Sequence, residues 1–276
     1  MNDAPQQGRR PGTLIIIGGG EDRDPNGRRA ILKEVARRVN GGKLVLATIA
    51  SHRPEGYFAD YEKAFADSSV GEIVELYVED RREADAPDKL KMLEGAAAVV
   101  FSGGDQLRIT SQIGDSKIEA RVREIYEGGG LIAGTSAGAS MMSETMLVSG
   151  SSAVTHRVGD LHMAPGMDLV RGVIIDQHFA ERGRFGRLIG AVAHNPRVIG
   201  MGIDEDTAAV VEDSKLRVIG SGAVYIVDGS DVSYCNLTEA RTDRVLSMHD
   251  VRVHVLGTGD RFDLAERRPT PAKDEL

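Results

Sequence analysis

Residues 131–142 read LIAGTSAGASMM, an apolar run followed by a serine flanked by glycines and then by small residues. The pattern Gly-x-Ser-x-Gly between a buried strand and a helix predicts a strained turn that projects the Ser136 hydroxyl above a sheet edge. Free N–H groups at the start of the next helix, residues 137–142, can stabilise negative charge there. The sequence therefore predicts a serine nucleophile, the alternative being a tight turn with an incidental serine.

Outward from this turn, short apolar runs alternate with segments of helical periodicity. Such alternation is typical of a parallel sheet covered on both faces, with functional groups at the carboxyl ends of its strands. The predicted strands are 14–17, 43–49, 72–78, 97–101, 131–133 and 173–177, and the predicted helices are 28–39, 57–66, 118–126 and 137–142. Short strands joined by Asp/Gly turns follow from about residue 197, at 198–203, 208–212, 215–219, 223–228 and 251–256.

These elements predict an α/β fold, a mostly parallel central sheet flanked by helices with a C-terminal antiparallel β extension. We expect a disordered tail at residues 1–12, a single catalytic domain at 13–265 and a charged tail at 266–276. We find no linker or internal repeat that would mark a second domain.

Composition narrows the function classes. The chain has 276 residues and a formal net charge of −8, which argues against a nucleic-acid partner because phosphate contacts need a basic face. The sequence contains no run of about 18 apolar residues, so it predicts no membrane span. Cys235 is the only cysteine, so we expect neither a disulfide framework nor a Cys/His metal cluster, and no metal or cofactor. The apolar stretch of a signal peptide is missing near residue 1, and a cytoplasmic location is expected.

A serine nucleophile needs an imidazole base and an anion that orients it. Among seven histidines, His178 stands out because it follows the predicted strand 173–177 directly. Arg182, Arg184 and Arg187 come next, and guanidinium groups match carboxylates, so the site favours a carboxylate-bearing substrate. A solvated basic loop is the alternative.

The orienting acid is less defined, because three carboxylates follow the predicted strand 198–203. Glu205 is the preferred candidate, with Asp204 and Asp206 left open, since spacing alone does not decide between them.

An oxyanion hole needs two donors. The backbone N–H of Ala137 is one candidate, and the other lies in the glycine-containing segment 101–106, FSGGDQ.

Taken together, these segments resemble the cyanophycinases, members of a serine peptidase family that also contains the aspartyl dipeptidase peptidase E. The matching segments are 18–22 (GGGED), 101–106 (FSGGDQ), 134–139 (GTSAGA), 176–187 (DQHFAERGRFGR) and 202–208 (GIDEDTA). They run in the family's order, and the segment 176–187 favours cyanophycinase over the shorter dipeptidase. The fold implied is also similar to class I glutamine amidotransferases, whose nucleophile is cysteine, whereas Ser136 occupies that position here.

The resemblance implies specific roles for the matching residues. It implies a triad of Ser136, His178 and Glu205, with Gly103, Gly104 and Ala137 around the oxyanion. The residues implied to line the substrate site are Gln106, Asp176, Gln177, Arg182, Arg184 and Arg187. Asp176 is expected to pair with a substrate guanidinium.

The implied substrate is cyanophycin, a polyaspartate whose side-chain carboxyls carry arginine, cut at the backbone to release β-Asp-Arg dipeptides. The resemblance also implies a homodimer. A peptidase E-like aspartyl or isoaspartyl dipeptidase is the first alternative, and a catalytically silent binding protein on the same fold is the second.

Overall fold

The computed structural model describes residues 11–52, 55–150, 161–238 and 244–272. Most of the tail expected at residues 1–12 and the last four residues of the chain therefore lie outside the described part. The helices are α1 (Ala30–Val39), α2 (Glu55–Phe65), α3 (Pro87–Met92), α4 (Gln106–Ile113), α5 (Lys117–Glu127), α6 (Ala137–Ser140) and α7 (Phe185–His194), with a 3-10 turn at Arg81–Asp85. No helix in these ranges is long and apolar enough to cross a membrane.

The described ranges also contain seventeen strands, and most of the shorter ones fall in the last third of the chain. They are β1 (Thr13–Ile17), β2 (Lys43–Ala47), β3 (Glu72–Leu76), β4 (Ala96–Phe101), β5 (Leu131–Thr135), β6 (Thr145–Ser149), β7 (His162–Pro165), β8 (Val173–Gln177), β9 (Ile199–Ile203), β10 (Thr207–Glu212), β11 (Lys215–Gly220), β12 (Val224–Asp228), β13 (Tyr234–Cys235), β14 (Met248–His249), β15 (Arg252–Leu256), β16 (Arg261–Asp263) and β17 (Arg268–Thr270).

The main sheet has nine strands in the order β17-β16-β11-β10-β1-β5-β4-β2-β3. The five strands from β1 to β3 in this order are mutually parallel, and β10, β11, β16 and β17 extend the sheet in antiparallel fashion. Helices lie between the parallel strands in sequence, as crossover connections require. The predicted α/β class, with its parallel centre and antiparallel C-terminal extension, is confirmed.

A second sheet of four strands, β15-β12-β9-β8, was not separated from the first by sequence. Strands β8 and β9 run parallel, while β12 and β15 are antiparallel to their neighbours. Two small hairpins, β6–β7 and β13–β14, complete the described strands. The segments that precede His178 and Glu205 therefore belong to a different sheet from the segment that precedes Ser136.

The core explains why β1 is apolar from Leu14 to Ile17. Leu14 and Ile16 pack in one buried cluster, which also holds Ile175 and Met201 of the four-stranded sheet. Ile15 and Ile17, with the opposite side-chain direction, pack in a second cluster that contains the buried face of α1. Burial on both faces is what a continuous apolar run indicates for a parallel strand.

The C-terminal segment differs from the expected charged tail. Residues Arg268–Thr270 form β17 and pair with β16 at the edge of the nine-stranded sheet. Phe262 of β16 is buried with an exposed fraction of 1%, in the same cluster as Leu14. Charged residues lie on both sides of one buried aromatic residue, so the composition of this segment did not predict the hairpin.

Candidate active site

The turn at Ser136 links β5 to α6 in a conformation that requires glycine nearby. Ser136 itself has a φ of 52°, in the left-handed region. A Cβ on Gly134 would lie 2.2 Å from the Gly138 carbonyl oxygen, and one on Gly138 would lie 2.4 Å from that of Phe101. The two glycines of the motif are therefore required by close backbone contacts, and these contacts hold the serine at the carboxyl end of β5.

Ser136, His178 and Glu205 form a continuous row of hydrogen bonds. His178 Nε2 lies 3.0 Å from Ser136 Oγ, and His178 Nδ1 lies 2.5 Å from Glu205 Oε1. An ionised carboxylate only accepts hydrogen bonds, so the proton on the histidine belongs on Nδ1 and Nε2 is free to accept the serine proton. The arrangement can generate a serine nucleophile by general-base catalysis.

The three neighbouring acids have separate partners. Asp204 accepts hydrogen bonds from the backbone N–H groups of Ala180 and Ala223, at 3.0 and 3.1 Å. Asp206 accepts from the Asp22 N–H at 3.0 Å and from the Ser221 hydroxyl at 2.7 Å. The two aspartates thus brace loops, whereas the glutamate between them contacts the imidazole.

The end of β1 connects the three segments that carry the row. The carbonyl oxygens of three consecutive residues each accept a backbone hydrogen bond from one of those segments. The bonds run from Ser136 N to Ile17 O at 3.0 Å, from His178 N to Gly18 O at 2.8 Å and from Asp206 N to Gly19 O at 2.9 Å. One strand end thereby sets the relative position of the serine, the histidine and the loop that holds the glutamate.

Glycines at the end of β1 also make room for the side chains of the row. A Cβ on Gly19, whose φ is 101°, would lie 2.3 Å from His178 Cε1 and 2.5 Å from Nε2. A Cβ on Gly20 would lie 2.9 Å from Glu205 Oε2. Sequence reasoning placed this glycine run at a strand end and in a family motif, but it missed that the run packs against the imidazole and the carboxylate.

Three backbone N–H groups near Ser136 are available as oxyanion donors. Among the described residues, the N–H groups of Gly103, Gly104 and Ala137 have no hydrogen-bond acceptor. A Cβ on Gly103 would lie 3.5 Å from Ser136 Cβ, and Gly104 adopts a φ of 143° with its Cβ position 2.3 Å from the Ala50 carbonyl oxygen. Gly103 and Gly104 line the same cleft as Ser136, and Ala137 follows it directly, so these unpaired N–H groups are candidate donors to a tetrahedral intermediate.

A cleft of about 490 Å³ opens above the row. Gln106, Gln177 and the three arginines from the sequence prediction line it, together with residues that sequence reasoning did not single out as substrate contacts. The latter include Glu21, Arg23, Tyr57, Thr135 and Val148. Glu21 belongs to the motif at residues 18–22, but nothing in the sequence indicated that it lines the cleft.

Asp176 is not among the residues that line the cleft. Its carboxylate is buried, with an exposed fraction of 1%, and accepts hydrogen bonds from Arg187 Nε at 2.6 Å and from Arg187 Nη2. Arg184 Nη1 lies 3.2 Å from the same carboxylate and also bonds Gln177 Oε1 at 2.7 Å. The structure therefore places Asp176 beneath the cleft as the partner of two arginines.

The same contacts position the polar wall of the cleft. Burial lowers the pKa of Arg184 to about 10, although the charge of Asp176 opposes that shift. The Nε atom of Arg184 is buried with no partner among the described residues. Gln106 Nε2, from another residue that lines the cleft, donates to the Leu147 and Val148 carbonyls of β6 at 2.9 and 3.3 Å. No group of His, Cys, Asp and Glu side chains in the described ranges is arranged to hold a metal ion.

Comparison with known proteins agrees with this geometry. The model of peptidase family S51 matches residues 14–219. The cyanophycinase of Synechococcus elongatus is 37% identical over 257 residues, covering 92% of this chain and 79% of that protein. The cyanophycinase of Trichormus variabilis is also 37% identical, over 94% of this chain and 88% of its own length. A crystal structure of a peptidase from an acI-B1 Actinobacterium shares the fold, with a TM-score of 0.65 and 21% identity over 89% of this chain and 98% of that one. The chain therefore belongs to peptidase family S51 and is a serine peptidase similar to the cyanophycinases.

Proposed function

We propose that this peptidase hydrolyses cyanophycin at its polyaspartate backbone and releases β-Asp-Arg dipeptides. The observation that carries the proposal is the hydrogen-bonded row of Ser136, His178 and Glu205, whose serine and histidine line a cleft together with three arginines. The relatives that cover nearly the whole chain carry the name cyanophycinase, which supports the same substrate.

The proposed reaction passes through an acyl-enzyme. Ser136 Oγ attacks the backbone carbonyl next to a β-linked Asp-Arg unit while His178 Nε2 takes its proton. The N–H groups of Gly103 or Gly104 and of Ala137 stabilise the oxyanion. The imidazolium then protonates the leaving amine, water enters, and the same histidine acts as base for hydrolysis of the ester. Glu205 holds the imidazole and stabilises its positive charge throughout.

The negative charge of the proposed substrate complements the arginines that line the cleft. Arg182 is exposed and has no side-chain partner among the described residues, while Arg184 is held at the cleft by Gln177. Guanidinium groups bind carboxylates through paired N–H donors, so these two residues suit the terminal carboxylate of a polyaspartate chain. Arg187 acts indirectly, because its guanidinium is engaged by Asp176.

The experiment compares Ser136→Ala with Ser111→Ala, a matched control at an exposed position on α4. Clearing of a cyanophycin suspension and release of β-Asp-Arg, measured by mass spectrometry, should be lost in the first variant and retained in the second. Both variants should unfold at the wild-type temperature. Cleavage of aspartyl or isoaspartyl dipeptides by the wild type without clearing of the polymer would favour a peptidase E-like activity. Full activity of Ser136→Ala would overturn the mechanism.

The oligomeric state and the location of the enzyme are two further proposals, the first suggested by the family resemblance. We propose a homodimer, which size-exclusion chromatography with light scattering would test. We also propose that the enzyme acts in the cytoplasm, consistent with the single cysteine. Fractionation of the source cells would test the location.

A further inference from the structure

Recognition of an arginine-bearing substrate needs an anion in the cleft, and Asp176 does not supply it. Its carboxylate lies beneath the cleft and is already bound by Arg184 and Arg187. Among the described residues that line the cleft, Glu21 is the one with a carboxylate side chain.

The Glu21 carboxylate lines the cleft with a side chain that is only 3% exposed, and two hydroxyl groups hold it in place. Thr135 Oγ1 donates to Oε2 at 2.6 Å, and the hydroxyl of Tyr61 donates to Oε1. Burial and the charge of Glu21 raise the pKa of Tyr61 well above its usual value, so that hydroxyl stays a donor. Each carboxylate oxygen has two lone-pair sites, so these two bonds leave acceptor capacity on both.

The cation now nearest to Glu21, Arg23, stacks over the Tyr61 ring at 5.3 Å from its centroid and has no close hydrogen bond to a carboxylate. Arg23 Nε lies 3.9 Å from Glu21 Oε1, and its Nη1 lies 3.9 Å from Asp60 Oδ2. Both distances exceed hydrogen-bonding range, and 33% of the Arg23 side chain is exposed. A second guanidinium could therefore take the place beside Glu21 while Arg23 turns towards Asp60.

We propose that Glu21 binds the guanidinium of the substrate's arginine and that Arg23 is the counter-cation it displaces. The inference rests on the proposed function and adds a specificity residue to it. Glu21 lies on the loop after β1, and Thr135 immediately precedes the nucleophile. The bound guanidinium is thereby fixed relative to Ser136.

The test compares a β-aspartyl-arginine oligomer with the same oligomer carrying citrulline, which is nearly isosteric with arginine and uncharged. For Glu21→Gln, we expect the ratio of kcat/KM for the arginine oligomer to that for the citrulline oligomer to fall about tenfold or more. For Arg23→Gln, we expect KM for the arginine oligomer to fall relative to that for the citrulline oligomer. Tyr61→Phe removes a hydrogen bond to Glu21 but keeps its charge, so the ratio should stay at the wild-type value.

The outcomes separate the recognition role from a structural one. If Glu21→Gln lowers kcat/KM equally for both oligomers, Glu21 only supports the turn and the inference is overturned, whatever the effect of Tyr61→Phe. If Glu21→Gln does not fold, Arg23→Gln decides: an unchanged or higher relative KM for the arginine oligomer overturns it.

Binding separates failure of this inference from failure of the proposed function. Calorimetry on Ser136→Ala should show a Kd for the arginine oligomer that rises about tenfold when Glu21→Gln is added, with no change for citrulline. If the wild type cleaves neither oligomer, the proposed function fails, and the calorimetric comparison alone then supports or overturns the role of Glu21.

Discussion

Ser136 and His178 both hold left-handed backbone torsions, with φ of 52° and 48°. Such torsions cost about 1–3 kcal/mol each in a residue other than glycine and persist only where neighbouring structure enforces them. Here the enforcing contacts are backbone hydrogen bonds to Ile17 O and Gly18 O. The precision of the row therefore depends on the end of β1 as much as on the reacting side chains.

Gly19→Ala tests this dependence. The added Cβ would lie 2.3 Å from His178 Cε1, so the imidazole must move away from Ser136. We expect kcat to fall about 100-fold or more, since a displacement of about 1 Å can cost that much. Gly41→Ala is the control, because Gly41 also has a positive φ, 81°, but no atom within 4 Å of its Cβ position. Steady-state hydrolysis with thermal unfolding measures both, and equal kcat values would show that the ring is not displaced.

Glu205→Gln and Asp204→Asn separate orientation of the imidazole from support of the loop. We expect Glu205→Gln to lower kcat by about 10²- to 10⁴-fold with little change in stability, because the amide can no longer stabilise the imidazolium. Asp204→Asn should lower the free energy of unfolding by about 1–3 kcal/mol, because one of its two backbone N–H partners loses its acceptor. Kinetics and urea denaturation of each variant provide the check. The assignment is wrong if Asp204→Asn causes the larger loss of kcat.

The sequence predicted some residues of the site individually, but it could not rank or place others. Ser136 followed from its strand–turn–helix pattern, and His178 from its place after an apolar strand. Three adjacent acids could not be ranked by spacing, because in a loop each carboxylate faces a different way. Asp176 was expected at the substrate, but a sequence shows a charge without showing that Arg187, eleven residues later, already neutralises it.

At the scale of elements, the parallel strands were predictable and the partition into two sheets was not. A strand buried on both faces has the same apolar pattern in either sheet. The sequences of β8 and β9 therefore did not indicate that these strands belong to a second sheet. Helix α7 was also missed, because its start coincides with the arginine cluster. In the structure Arg187 lies within the helix and is buried against β8, whereas Arg182 and Arg184 lie in the turn that precedes the helix.

Asp176→Asn tests the pairing between β8 and α7. We expect the free energy of unfolding to fall by about 3–5 kcal/mol, because the change leaves two buried guanidinium groups without a counter-charge. Activity should fall as well, since Arg184 and Gln177 line the cleft. Asp168→Asn is the control, as its carboxylate pairs with the mostly exposed Arg171 and should contribute less than about 1 kcal/mol. Urea denaturation that shows equal losses for the two variants would contradict the structural role.

At the scale of the molecule, the active site depends on the relative position of two sheets. Ser136 follows a strand of the nine-stranded sheet, whereas His178 and Glu205 follow strands of the four-stranded one. The turn between β16 and β17 joins the two sheets at their far ends. Arg267 in that turn bonds the buried carboxylate of Asp228 on β12 and the carbonyl oxygen of Arg197, just before β9.

Arg267→Gln should weaken this contact between the two sheets without moving the hydrogen-bonded row of the active site. Burial alone would raise the pKa of Asp228, but hydrogen bonds from Ser230 and Arg267 outweigh it and hold the pKa below its ordinary value. A depressed carboxyl pKa contributes stability above the unfolded-state value, and that contribution is lost as pH falls through the folded-state value. We therefore expect Arg267→Gln to be less stable than the wild type at pH 7, with the difference shrinking below about pH 4.

The control is Arg268→Gln, at an exposed neighbouring position, which should match the wild type at every pH. Urea denaturation across the pH range measures the difference, and hydrolysis at pH 7 should keep kcat within about threefold of the wild type, because the apolar core shared by both sheets still aligns the row. A stability difference that persists unchanged into acid would mean that Arg267 acts through the Arg197 carbonyl rather than through the charge of Asp228.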